Sequence, residues 1–310
     1  MSDHVTDVPT DPRLTDPQVA RHVAAIYRSR TGAPPADIHE KRERAQKVRL
    51  ADDDQVWTRD VMVTGGAGDQ AARWYFPTEK RSGTVTVFFH GGGWAMGDLE
   101  SNDALTRELV ARSGSIILSV DYRLAPENPF PAALDDATAA LGWLHEDPIG
   151  RDADRLVVAG HSAGGNLAAA LALRSRDGSA AHIDAQLLMC PVLDCDLDRP
   201  SYHEFASGLL LTRDEMVEYW DMYHPRLQGR DHPDLSPLRA ESLRGLAPAT
   251  LIVGGADPLR DEGIAYARRL EADGVETVCH VQPSAPHLFL TFPPMEARDR
   301  SLEVAADALR

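Results

Sequence analysis

Cysteine is scarce in this chain: Cys190, Cys195 and Cys279 are the only three among 310 residues. An odd, small number without framework spacing argues against a disulfide scaffold, and each thiol is expected to be buried or incidental. Lysine is equally rare, confined to Lys41, Lys47 and Lys80, so arginine carries nearly all the positive charge. Positive charge is itself outweighed: 32 Lys and Arg face 48 Asp and Glu, a formal net charge of −16. Such a surface repels phosphate backbones and anionic lipid heads, which excludes nucleic acid as an expected partner. No run approaches the roughly 18 consecutive apolar residues that a membrane span needs. The opening stretch "MSDHVTDVPTDPRLTDP" is acidic and Pro-rich, without the basic and apolar regions of a signal peptide. The expectation is a cytoplasmic protein with no membrane span.

What remains is an ordinary globular balance, 43% hydrophobic and 26% charged, in a chain long enough for a sizeable core. After a loose leader, residues 17–50 carry apolar positions at helical spacing (Val19, Val23, Ile26, Tyr27), and "TGAPPAD" divides them into two helices. "QVWTRDVMVTG" and "AARWYFP" alternate polar and apolar residues around "GGAGD", the pattern of a hairpin. Short continuous apolar runs then alternate with helical segments. "TVTVFFH", "SIILSVDY", "RLVVAG", "AQLLMCPVL", "ATLIVGG" and "ETVCHVQ" are the runs. Buried strands alternating with helices predict a mostly parallel sheet covered on both faces. Residues 196–245 interrupt the rhythm with no clear strand, and "FASGLLLTRDEMVEYWDMY" within them reads as helical and apolar on one side. The expected organisation is a catalytic domain of 51–195 and 246–310, with 1–50 and the 196–245 insertion as helical parts of a cap.

"RLVVAGHSAGGNLAAALAL" is strand, sharp turn and helix, and it fits G-x-S-x-G with Gly160, Ser162 and Gly164. A serine there sits at the positive end of a helix dipole, where a negative oxygen is held. A serine hydroxyl needs a base. Of the 12 histidines, His287 in "SAPHLF" follows the last predicted strand. Asp257, in "LIVGGADPLRDEG", ends a buried strand on the edge where sites assemble in parallel sheets. Asp261, Glu262 and Asp194 are the competing acids. His161 neighbours the serine, and its side chain is expected to point away; His280, inside a strand, is expected to pack. "FFHGGGWAMGD" supplies three consecutive glycines after a strand, whose unshielded N–H groups suit an oxyanion. The expected donors are Gly92, Gly93 and Ala163, with Gly91 the nearest rival and His90 bracing the loop.

Together these motifs resemble the hormone-sensitive-lipase-like carboxylesterases of the α/β-hydrolase superfamily. The match lies in "HGGGW" with its trailing "GD", "DYRLAPENPFPAALDDA", "GHSAGGNLAA", "DPLRDEG" and "PHLF", in that order over roughly residues 55–305. The resemblance implies an α/β-hydrolase fold, a Ser162, Asp257 and His287 triad, and ester hydrolysis without metal or cofactor. Some relatives dimerise through the sheet edge, so it leaves room for a homodimer. Two departures stand out: many relatives have Asp where this chain has His161, and Gly residues usually flank the histidine that here follows Pro286. For substrate, the expectation is a small-molecule ester with an acetyl to about hexanoyl chain. Trp94, Phe205, Leu209, Leu210, Met216 and Trp220 are candidates for the pocket wall. The alternatives are an amidase or N-deacetylase with the same triad, and a non-catalytic small-molecule receptor of this fold.

Overall fold

The computed structural model describes residues 11–29, 35–45, 54–65, 68–79 and 82–310. The chain begins with helices α1 (Pro17–Ser29) and α2 (Ile38–Arg44). Most of the "TGAPPAD" break between them, and residues 66–67 of the expected hairpin turn, lie outside the described residues. Strands β1 (Val56–Gly65) and β2 (Gly68–Pro77) pair antiparallel with Gly65 opposite Gly68. Then come β3 (Thr84–Phe89), α3 (Asp103–Ser113), β4 (Ile116–Val120), α4 (Ala132–Glu146) and the short α5 (Pro148–Arg151). The middle of the chain supplies β5 (Arg155–His161), α6 (Ala163–Arg176) and β6 (Ala185–Met189). Helices α7 (Pro200–Glu204) and α8 (Arg213–Tyr223) follow, and the chain closes with β7 (Ala249–Gly254), α9 (Arg260–Ala272), β8 (Thr277–Gln282) and α10 (Glu296–Asp307).

The strands form one eight-stranded sheet in the order β1-β2-β4-β3-β5-β6-β7-β8. From β4 to β8 every pairing is parallel, so β3 through β8 all end at one edge. The period-two alternation of a strand distributes its side chains to two cores. Trp74, Phe76, Val87 and Phe89 face a core covered by α4, α6 and α9, whereas Tyr75 and Phe88 face a core covered by α1, α3 and α10. Helix α6 is buried from Ala163 to Leu173, which explains its run of Ala and Leu: small side chains let it lie between the sheet and α4. Truncating one of its leucines, Leu167 or Leu171, to Ala costs about 2–5 kcal/mol by the usual cavity argument.

One expectation is corrected here, and one element is added. The apolar stretch 205–223 is not one helix. Residues 205–212 form a turn-rich segment with Gly208 at φ 84° and Leu210 at φ 76°. Helix α8 starts only at Arg213 because Thr212 and Glu215 form a reciprocal capping box. The closing helix α10 carries no clear signal in the sequence. Its apolar face is thin, but Leu302 and Ala305 are fully buried in the second core. No helix of the described residues is long and apolar enough to cross a membrane.

Candidate active site

Ser162 occupies the turn between β5 and α6 with φ 57° and ψ −117°, a conformation that L residues rarely adopt. The turn is held by the backbone. The Ser162 N–H donates to the Met189 carbonyl at 2.8 Å, and its own carbonyl accepts from Asn166 at 3.1 Å and Val192 at 3.2 Å. Both flanking glycines are sterically required. A Cβ on Gly160 would lie 2.1 Å from the Gly164 carbonyl oxygen, and one on Gly164 would lie 2.0 Å from that of Phe89. Asn166 locks the base of the turn, donating through Nδ2 to the carbonyls of Val192 and Leu235. It was not singled out from the sequence, although "GGN" begins a helix that otherwise carries only apolar residues to Leu173.

Three side chains distant in the sequence meet at this edge. His287, in the loop after β8, has Nε2 2.8 Å from Ser162 Oγ and Nδ1 2.8 Å from Asp257 Oδ2. Asp257, just beyond β7, also accepts from the Leu259 N–H through Oδ1 at 2.9 Å, which fixes the carboxylate plane. All three are buried. The competing acids are committed elsewhere. Asp194 lies between Arg199 and Arg239, and Asp261 accepts from the Ser201 N–H and pairs with Arg260. Glu262 accepts from the Leu193 N–H at 2.7 Å, and burial pushes its carboxyl well above the usual range.

The glycine loop after β3 lies beside Ser162: a Cβ on Gly91 would come 3.3 Å from the serine Cβ. The N–H groups of Gly92, Gly93 and Ala163 meet no acceptor among the described residues. Gly91 shares that property, so it stays the nearest rival. His90 braces the loop from behind, stacked on Tyr122 at 4.2 Å with Nδ1 2.8 Å from the Gly91 carbonyl. Its full burial pushes it down to about 4.

Ser162, His287 and the glycine loop open into a cavity of about 1420 Å³. Of the six candidate wall residues, Met216 and Leu210 line it. Trp94, Phe205, Leu209 and Trp220 do not, and the reason is packing. Trp94 stacks on Tyr223 at 4.3 Å and tilts against Trp220 at 4.9 Å, so it anchors the loop in the core. Phe205 lies under the guanidinium of Arg260, and Leu209 is fully buried in the second core. The wall is instead completed by Ile38, Leu124, Tyr219 and Met222. Tyr219 is the important omission: a Cβ on Gly93 would sit 2.2 Å from its ring, so the ring rests directly on the loop.

His161 is a further correction. Its side chain does not turn away from the site; it lines the cavity, with its ring 5.7 Å from that of His287. His280 lies on the edge strand β8, with Nε2 3.1 Å from Ser301 Oγ. Among the described residues, one group of side chains has the spacing of metal ligands: Cys190, Asp257 and His287 lie within 4.8 Å of one another. Burial and the Asp257 charge push the Cys190 thiol up, and His287 Nδ1 already faces the Asp257 carboxylate. The donor set is therefore that of a hydrogen-bonded cluster.

Residues 86–291 match the family model described as alpha/beta hydrolase fold. The carboxylic ester hydrolase LipN of Mycobacterium tuberculosis is 43% identical over 245 residues, which is 74% of this chain and 64% of LipN. The chain thus spans a little under two thirds of that relative's length. The ethyl acetate hydrolase of Pseudomonas putida is 37% identical over 74% of this chain and 73% of its own. The crystal structure of a thermostable esterase from Pseudomonas putida ECU1011 superposes with a TM-score of 0.85 at 32% identity, covering 95% of this chain and 99% of that one. Fold, motif order and relatives agree that the chain belongs to the hormone-sensitive-lipase-like carboxylesterases, serine hydrolases of the α/β-hydrolase superfamily.

Proposed function

We propose that the chain hydrolyses carboxylic esters with short acyl groups, acetyl to about hexanoyl, through an acyl-enzyme on Ser162. The observation that carries this reading is the pair of 2.8 Å contacts from His287, one to Ser162 Oγ and one to Asp257 Oδ2. With Nδ1–H donated to Asp257, the Nε2 lone pair faces the hydroxyl and accepts its proton as Oγ attacks the ester carbonyl. Asp257 holds that tautomer and stabilises the imidazolium. The N–H groups of Gly92, Gly93 and Ala163 hold the tetrahedral oxyanion. His287 then returns the proton to the leaving alcohol, and water repeats the sequence on the acyl-enzyme.

In this reading α2 and the 205–223 segment act as a cap. Arg42 of α2 donates to the carbonyls of Ala95 and Ala125 and pairs with Glu127, while Lys41 reaches Glu215 and Glu218 on α8. The cap encloses small soluble substrates better than lipid aggregates. The cavity volume exceeds what an acyl chain of two to six carbons fills, so the remaining space falls to the alcohol portion. The name of the ethyl acetate hydrolase relative points the same way.

The test is turnover of p-nitrophenyl esters by the native chain and by Ser162→Ala. The native activity is expected to peak between acetyl and hexanoyl, and the variant to melt normally with turnover at background. Substantial turnover by the variant would defeat the nucleophile, and a peak at decanoyl or longer would defeat the chain-length assignment. Faster cleavage of an acetamide than of the matching acetyl ester would put the amidase reading in its place.

A further inference from the structure

His161 stands between the two halves of the machinery. Its ring lies 5.7 Å from the His287 ring at an interplanar angle of 21°. Its opposite edge abuts the glycine loop: a Cβ on Gly91 would come 2.9 Å from His161 Nδ1, closer than any real side chain tolerates. Glycine at 91 is thus what lets the imidazole enter. The side chain is 2% exposed, and its Nε2 is buried with no hydrogen-bond partner among the described residues. A buried nitrogen without a partner costs free energy, while the imidazole also interacts with the backbone of His287.

We propose that His161 is a positioning residue for ester hydrolysis, a neutral spacer that sets the distance between the oxyanion loop and the catalytic histidine. The proposal rests on the serine-hydrolase reading above. The ring acts by contact: pressed between Gly91 and His287, it keeps the His287 imidazole in the one plane that reaches both Ser162 Oγ and Asp257 Oδ2. It also acts by carrying no charge. The groups facing His287 are Ser162, Asp257, the Cys190 thiol and His161 itself. Burial, reinforced by the neighbouring His287, pushes His161 down to about 3, so at neutral pH its ring adds no positive charge beside the base.

The experiment replaces His161 by Ala, Phe and Asp, and records kcat, KM and the pH dependence of kcat/KM on p-nitrophenyl acetate, with a thermal melt of each variant. Loss of the spacer in His161→Ala is expected to lower kcat by about 10- to 100-fold with KM little changed, the scale of a misplaced catalytic group. His161→Phe restores a flat uncharged ring and is expected to recover most of that loss with the native acid limb. His161→Asp places an anion beside the base and is expected to move the acid limb up by about one pH unit. Native kcat in His161→Ala would overturn the proposal, as would a Phe variant no better than Ala. Should the Ala variant melt early, the comparison of Phe with Asp decides, since a fold defect alone leaves the acid limb where it was. Failure of the underlying reading looks different: Ser162→Ala would then keep its turnover whatever stands at 161.

Discussion

The Asp257 carboxylate divides its two oxygens between two jobs, one accepting from the Leu259 N–H and the other facing His287 Nδ1. An amide at this position keeps the shape, but its NH2 group faces the imidazole and selects the wrong tautomer. Asp257→Asn is therefore expected to lose about 10³–10⁴ in kcat with KM and melting temperature close to native. Steady-state kinetics at neutral pH check it, and a loss below tenfold would say that Asp257 is not the orienting acid. These three residues were legible in the sequence because each follows a strand-like run, buried for Ser162 and Asp257 and at the sheet edge for His287, and the ends of parallel strands converge. The environment of His161 was not. Adjacency to Ser162 says nothing of where a ring goes, and its place depends on room that Gly91 leaves 70 positions earlier in the chain.

At the scale of elements, the β5 to α6 turn depends on how closely strand and helix approach. The Gly164 Cα faces the Phe89 carbonyl so tightly that a single methyl group would require β3 to shift away from α6. Gly164→Ala is expected to destabilise the chain by several kcal/mol or prevent folding, well beyond the ordinary gain of Ala over Gly inside a helix. Urea denaturation of the purified variant measures it, and a variant more stable than native would contradict the packing described. Helix α2 offers a milder case. Arg42 ties it to the Ala95 carbonyl beside the glycine loop, so Arg42→Met is expected to change KM and kcat together while the sheet keeps its stability. The succession of strands along the chain and most of the helices between them were readable from periodicity, whereas the order of strands in the sheet, helix α10 and the cap's inward face were not. Trp94 packs on both Trp220 and Tyr223, so their aromatic bulk fills core and leaves Tyr219 and Met216 to form the wall. Which side of α8 faces the core is a tertiary choice that the helical period alone does not settle.

Over the whole molecule, buried titratable groups of opposite type set how stability follows pH. His161 is neutral in the folded chain down to about 3, while in the unfolded chain it binds a proton below about 6.5. Its contribution to stability is present above that value and is lost as pH falls toward 3, at about 1.4 kcal/mol per pH unit. Glu262 works in the other direction: its carboxyl is raised by burial, so the folded chain keeps a proton that the unfolded chain releases, and its contribution is lost as pH rises above about 4.5. Relative to native, Glu262→Gln is expected to gain stability as pH rises from about 5.5 to 7.5, and His161→Phe to gain as it falls over the same range. Urea midpoints at the two pH values give the comparison, and parallel shifts at both would contradict it. Burial of this kind was invisible in the sequence, where Glu262 is simply one acid in "DPLRDEG".

The proposed function makes Ser162 the nucleophile, and the mass and location of a fluorophosphonate adduct on the native chain test that role. One phosphonyl group per chain is expected, mapped by peptide sequencing to Ser162, with esterase activity lost in proportion to labelling. Activity lost with the label on another residue, or retained with Ser162 fully labelled, would show that Ser162 is not the nucleophile.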